Sequence, residues 1–450
     1  MKKYLALILG VLFVLGFAAS AFAIHAEIPS ETQAAVAKGT TQITIGGEIR
    51  ARGEIQQNTS DFNDDKADHK SYYDERVRLS IKADVTKNTT AFVHLESGDA
   101  SNKSDVTWGT EAPEAKGVYG FGNGKQSSLY ILEAWILHKG SGLLGIPAGF
   151  KIGHQPLALG NKLFFDHSKF GDDAIVLFMD PTKELHVGLL TAKFKEADDR
   201  MSKDATGYVG LFNYRTKEFG FSGDVTYVDH QNNTGGFPGI AGADVHLWNF
   251  ALRGDTNIGG LGIKGDVELQ TGKIMDTGGP DQKFRGWAAL VGLSYKVAPV
   301  TLSLDYAYGS GDNNATDNKF STFVTALSGV QNYTYVYDYR TKTAAGASGT
   351  GIANTQYLKG GVSASLAKDL TGDLNLYWLR AVKSPTTGES SKDIGTEIDW
   401  LVKYKIDRNL TYWVEGGYLF AGNAFKWIIP TGTKDPDNAY AVRHGISLSF

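Results

Sequence analysis

Arg50 and Arg52 stand two residues apart, as do Arg76 and Arg78, and a fifth arginine, Arg443, lies near the end of the sequence. In an extended chain residues two apart share a face, so each pair presents two guanidiniums side by side. A guanidinium is charged at any accessible pH and grips carboxylates and phosphates through paired donors. The same spacing places Glu48 and Glu54 among the arginines, while Glu397, Asp399 and Glu415 form a second, acidic set. Two chemistries fit: a cationic track for anions, or arginine–carboxylate pairs across neighbouring strands that neutralise one another and stiffen a wall.

Other chemistry is poorly supported. None of the ten histidines has a metal-ligand spacing. The acidic runs Asp61, Asp64, Asp65, Asp68 and Asp312, Asp317 lack calcium-loop spacing, so solvated loop charge is expected there. A hydrolase needs a serine with a positioned histidine; His94 and His154 are candidates to face a cavity, yet no nucleophile elbow accompanies them. The chain has no cysteine, which excludes disulfides, thiolate sites and covalent c-type haem. No metal, cofactor or enzymatic activity is expected.

The elements that must carry these residues are strands. Between 42 and 55, Ile43, Ile45, Ile49, Ala51 and Ile55 alternate with Glu48, Arg50, Arg52 and Glu54. Between 72 and 86, Tyr73, Val77, Leu79, Ile81, Ala83 and Val85 alternate with Asp74, Arg76, Arg78, Lys82 and Asp84. Further segments are expected near 88–97, 127–138, 147–156, 173–180, 184–195, 205–215, 218–229, 243–255, 260–272, 284–297, 299–309, 355–367, 371–383, 393–406, 409–421 and 438–450. About 18 strands result, with 16 as the alternative because 173–180 is weak. Segments of roughly ten residues or more match tilted strands crossing a bilayer. Links alternate long (56–71, 98–126, 157–172, 230–242, 310–354, 422–437) and short (87–88, 181–183, 216–217, 298, 368–370, 407–408), as in a transmembrane antiparallel up-and-down β-barrel. Tyr295, Tyr308, Tyr404, Tyr412, Tyr418 and Phe420 suit interfacial girdles.

At the N-terminus Lys2 and Lys3 precede an apolar run, Leu5 to Phe17, and the small-x-small site Ala21-Phe22-Ala23. This predicts a cleaved signal peptide over 1–23, a short periplasmic lead over 24–40 and a barrel over 41–450. Acidic residues outnumber basic ones, 49 against 45, so no nucleic-acid partner is expected. A final strand ending on aromatic Phe450 fits what barrel-assembly machinery receives. The expected surroundings are outer-membrane lipid in a Gram-negative cell, with the chain a monomer or homotrimer. Long loop 310–354 carries Tyr333, Tyr335, Tyr337 and Tyr339 in alternation: folded inward it would narrow the pore and stack on sugars or other planar surfaces, whereas the alternation favours a β-ribbon extending outward; the Gly-rich 98–126 is the other candidate constriction.

Several stretches resemble the alginate-export type of outer-membrane β-barrel: Gly46-Gly47-Glu48-Ile49-Arg50-Ala51-Arg52, Glu75-Arg76-Val77-Arg78-Leu79, Leu132-Glu133-Ala134-Trp135, Lys151-Ile152-Gly153-His154-Gln155-Pro156-Leu157 with Leu159-Gly160, and Gly395-Thr396-Glu397-Ile398-Asp399-Trp400. The resemblance implies an 18-stranded monomeric barrel with a charged lumen, and by position Arg50, Arg52, Arg76 and Arg78 would line a polyanion path. The chain departs from that pattern at Gly153-His154-Gln155, where the family often has Gly-Arg-Gln, and in its many acidic inward positions. The expectation is therefore a porin passing small hydrophilic solutes through a lumen lined by Glu48, Arg50, Arg52, Arg76, Arg78, Glu397, Asp399, Glu415 and Arg443. The alternatives are an exporter of an acidic polysaccharide such as alginate, a sheath around a multihaem electron-transfer partner, and an outer-membrane hydrolase.

Overall fold

The computed structural model describes residues 36–38, 41–98, 105–108, 128–142, 145–196, 204–231, 242–275, 279–314, 317–325, 332–341, 351–384, 391–428 and 434–450. The expected leader, 1–23, and all of the lead except 36–38 lie outside the described residues.

Eighteen long strands form the wall. They are β1 (Thr41–Gln57), β2 (Lys70–Thr86), β3 (Thr89–Gly98), β4 (Ser128–Gly140), β5 (Ala148–Ala158), β6 (Asp166–Met179), β7 (Leu185–Lys195), β8 (Ala205–Arg215) and β9 (Phe219–His230). The second half comprises β10 (Asp244–Ile258), β11 (Leu261–Met275), β12 (Trp287–Val297), β13 (Val300–Gly309), β14 (Thr355–Ala367), β15 (Leu370–Ala381), β16 (Asp393–Asp407), β17 (Leu410–Ala421) and β18 (Ala439–Ser449). Each pairs antiparallel with its neighbours in sequence, and β1 pairs with β18 from Glu48↔Ser449 to Gln57↔Tyr440. Past the ladder, Phe450 and Gly47 exchange backbone hydrogen bonds of 3.0 and 2.7 Å. The sheet has no free edge, as lipid demands, because an unpaired amide in hydrocarbon costs several kcal/mol.

Period-2 alternation sorts side chains between two solvents. Ile49, Leu79, Leu252, Leu302 and Leu374 are exposed on the outer face, whereas Arg52, Asp74, Glu268 and Glu397 are buried inside. Tyr295, Tyr404, Tyr412 and Phe420, expected in girdles, are likewise exposed. Short turns such as 87–88, 259–260 and 368–369 gather at one end, and the long connections, 58–69 and 310–354 among them, at the other.

The weakest expected strand, 173–180, is a full one, β6, beginning at Asp166, so 18 strands stand rather than 16. Gly171, with φ of 72°, breaks the alternation midway and hides the strand's first half; a Cβ there would meet the Gln155 backbone at 2.9 Å. The link after β5 is accordingly 159–165 and folds inward, with Leu159, Leu163, Phe164 and Phe165 buried. They belong to one apolar cluster with Phe62, Phe323, Ile352 and Phe425, all from connections at the long-loop end. Phe62 stacks on Phe425 at 3.9 Å. Polar contacts seat this inner layer: Gln270 on β11 accepts from Val324 N–H at 2.8 Å and donates to Val324 C=O at 2.9 Å.

If the outer face of β10 meets hydrocarbon, Leu252→Arg should cost about 2–4 kcal/mol of folding free energy, the value for a guanidinium near the bilayer midplane. Urea titration of the barrel refolded into vesicles measures it; a loss below about 1 kcal/mol, the interfacial value, would place Leu252 outside the apolar core.

Candidate pore constriction

Adjacent register brings the first arginine set together on the inner wall. Arg50 faces Arg76 across the β1–β2 ladder, and Glu48 faces Arg78. Each guanidinium has a carboxylate. Arg52 Nε donates to Asp74 Oδ1 at 2.7 Å and its Nη2 to Asp105 Oδ2 at 2.6 Å, and Arg50 binds the other Asp105 oxygen. Arg76 Nη2 donates to Glu48 at 2.5 Å, and Arg78 Nη2 lies 2.5 Å from Glu96. Asp105 belongs to the connection 99–127, of which only 105–108 is described; its short strand Val106–Thr107 pairs with Asp74 and Glu75. Arg443 on β18 donates to Glu415 on β17 through Nε at 2.7 Å, with Glu54 3.7 Å away.

The tyrosine-rich segment corrects the expectation of an outward ribbon. Residues 332–341 form successive turns inside the barrel, with Val336 and Tyr337 buried. The cause is a pair of inward carboxylates on β16. Glu397 accepts from the N–H groups of Val336 at 2.5 Å and Tyr337 at 2.9 Å, and Asp399 accepts from Tyr335 N–H at 3.0 Å. Three consecutive amides thus find carboxyl acceptors that no outward ribbon offers, and buried amides must be paired. Alternating tyrosines favour a strand only weakly against such contacts. Arg340 completes the seat, its Nε 2.7 Å from Glu54 Oε1 and its guanidinium 3.5 Å from the centroid of the Tyr339 ring. The nine singled-out residues therefore fall into two groups: Glu48, Arg50, Arg52, Arg76 and Arg78 on one arc, and Glu397, Asp399, Glu415 and Arg443 under the inward segment.

Under this segment the wall of β13–β18 leaves a cavity of about 540 Å³, bordered by Tyr335, Tyr339, Lys359, Asn375, Tyr377 and Arg443 among others. A third cluster was not anticipated. Arg253 on β10 holds Asp266 at 3.0 Å, Glu268 at 2.9 Å and Asp224, all buried. The 159–165 link rests on it: Asn161 N–H donates to Asp266 at 3.3 Å, and Gly160, at φ of 53°, leaves no room for a side chain beside the guanidinium. The alternation of β9–β11 already puts Asp224, Arg253, Asp266 and Glu268 on inward faces, which was the available signal; Arg340 carried none.

His94 points inward but pairs with Glu133 at 3.3 Å, and His154 binds Asp173 on the outer face at 3.0 Å instead of facing a cavity. Among the described residues both histidines hydrogen-bond to carboxylates or backbone, not to a serine. Asp68 accepts from the Asn58 and Ser60 N–H groups, tying its loop locally. Among the described residues, no cluster of three or more His, Cys, Asp or Glu side chains has metal-binding geometry.

Burial in the inward segment raises the Tyr339 phenol, yet Arg340 and Arg443 more than offset it and pull it down to about 8. Phenolate absorbance near neutral-to-alkaline pH should therefore show one tyrosine titrating with a midpoint about two units below the ordinary phenol, absent in Tyr339→Phe. Retention of that early titration in Tyr339→Phe would place the segment away from the two arginines.

Residues 41–431 match the alginate-export family. No curated protein matches. Among solved structures, OccAB1 of Acinetobacter baumannii is similar with a TM-score of 0.58 at 11% identity, covering 94% of this chain and 99% of that one. OccK8 (OprE) of Pseudomonas aeruginosa has a TM-score of 0.54 at 11% identity, with 91% and 98% covered. The outer membrane protein OpdK of Pseudomonas aeruginosa has 0.55 at 10%, with 90% and 98% covered. At these identities the structures share the barrel fold, and the family match extends over most of the chain. The protein is an outer-membrane β-barrel channel belonging to the alginate-export family.

Proposed function

We propose that the barrel lets small hydrophilic solutes and ions diffuse passively through its lumen, with 332–341, seated on Glu397, as the constricting element and the other eight singled-out charged residues lining the path. The observation that carries this reading is the polar cavity of about 540 Å³ between the inward segment and the wall of β13–β18. A polar, solvent-sized space inside a wall with an apolar exterior is what a hydrated path requires. No chemistry is assigned to the barrel itself.

The paired arginines argue against a dedicated exporter of an acidic polysaccharide. Such a path would need guanidiniums with donors to spare, whereas Arg50, Arg52, Arg76, Arg78 and Arg443 each hold a carboxylate of the chain. A sheath around a multihaem partner is disfavoured by the inner layer of Phe62, Phe165, Phe323 and Phe425, which narrows the lumen that such a partner would have to span.

Planar-bilayer recording of the purified barrel tests this. The expected result is ohmic current with no strong anion selectivity under a salt gradient, because each of these arginines is already paired with a carboxylate. Absence of current would overturn the diffusion reading, and strong anion selectivity would favour the exporter. Arg340 and Glu54 are a buried pair, 7% and 1% exposed, and removing one partner of such a pair costs about 3–5 kcal/mol. Arg340→Ala should therefore unseat 332–341 and give larger, noisier unitary currents; unchanged currents would show that this segment does not set the constriction.

A further inference from the structure

We infer that the cavity under 332–341 is a binding subsite for a neutral mono- or disaccharide, an inference that rests on the diffusion reading for how the sugar arrives. Its floor is a row set by register: Ser303 on β13 faces Gly361 on β14, which faces Asn375 on β15, which faces Asp399 on β16. One step toward the turns, Ser363 faces Asp373. Gly361 decides the shape of this floor. A Cβ there would lie 2.4 Å from Ser303 Oγ and 2.7 Å from Asn375 Oδ1, so its absence leaves a hydroxyl and an amide flanking an open notch. The side chains of Ser303, Ser363, Asp373 and Asn375 have no hydrogen-bond partner among the described residues, although they line a cavity.

Aromatic rings border the notch. Tyr335 and Tyr339 come down from the inward segment, Tyr339 with Arg340 stacked 3.5 Å from its centroid, and Tyr377 stands on β15 beside Asn375. Phenol rings offer apolar faces to the C–H side of a pyranose, while spaced hydroxyl, amide and carboxylate groups suit its hydroxyls. The volume, about 540 Å³, lies within the range of small-molecule sites.

Charge selects against anions. The lining cations are engaged, Lys359 with Asp305 at 3.6 Å and Arg443 with Glu415 at 2.5 Å. Of the lining acids, Glu415 is taken by Arg443 and Asp399 accepts the Tyr335 amide, so the lining leaves no spare guanidinium or ammonium to hold an anion. A neutral polyol needs no counter-charge and can use every unpaired group on the floor.

The test uses the full barrel and sucrose as probe, in two formats. In bilayers, sucrose should block the current reversibly and saturably, more strongly than potassium gluconate or lysine hydrochloride at equal concentration. In equilibrium dialysis, radiolabelled sucrose should bind saturably to the detergent-solubilised barrel. Asn375→Ala and Asn375→Leu should each weaken binding about tenfold, the effect of one well-made hydrogen bond, with heat-modifiable migration confirming that the variants fold. Ohmic current without saturable sucrose binding would overturn the subsite and leave the diffusion reading intact. Saturable binding without any current would do the reverse. Unaltered binding in both Asn375 variants would overturn the assigned floor, and stronger block by gluconate or lysine would overturn neutrality.

Discussion

Backbone hydrogen bonding in a medium without water is the constraint on which everything else depends. Every N–H and C=O of the wall must find a partner in the chain, and for strands that means a closed ring. The β1–β18 ladder provides the closure. Once the ring is closed, alternation leaves no freedom: odd and even positions face different solvents, and a one-residue slip in any ladder would put a guanidinium into lipid. Apolar residues such as Leu252 and charged ones such as Arg253 can therefore be immediate neighbours.

The interior applies the same accounting to charge. A wall holding arginines on adjacent strands is tolerable only if carboxylates interleave with them, and Asp74, Glu48, Glu96, Asp105 and Glu415 do so. Where acids have no guanidinium, the chain supplies backbone donors instead: Glu397 and Asp399 collect the amides of 335–337. Wall charge and inward loops are thus one system. The loops lie where carboxylates or glutamines on the wall have capacity left, as Asp266 does for Asn161 and Gln270 for Val324.

Much of this was legible in the amino-acid sequence, for a physical reason. Period-2 alternation, tight turns and long links are local, so the strand number, its order and the inward side of Glu48, Arg50, Arg52, Arg76, Arg78, Glu397, Asp399, Glu415 and Arg443 follow without any distant contact. What depended on contacts between residues far apart was not legible. Arg340 meets Glu54 across 286 positions, and nothing near either residue announces the other. Tyr333 to Tyr339 misled because their local preference for extended chain was overruled by acceptors on β16. The Arg253 cluster was within reach of the same alternation argument, but its members are spread over three strands and only the fold puts them in one place.

The apolar layer formed by Phe62, Phe165, Phe323, Ile352 and Phe425 gives the molecule two cores with different origins of stability. The wall is held by ladder hydrogen bonds and by lipid, whereas this inner layer is held by burial from water, as in a soluble domain. Cooling weakens the second kind of stabilisation while leaving the ladder in place. Loosening of the mouth is therefore separable from unfolding of the sheet, and a barrel that retains all its strand content can still have lost the shape of its entrance.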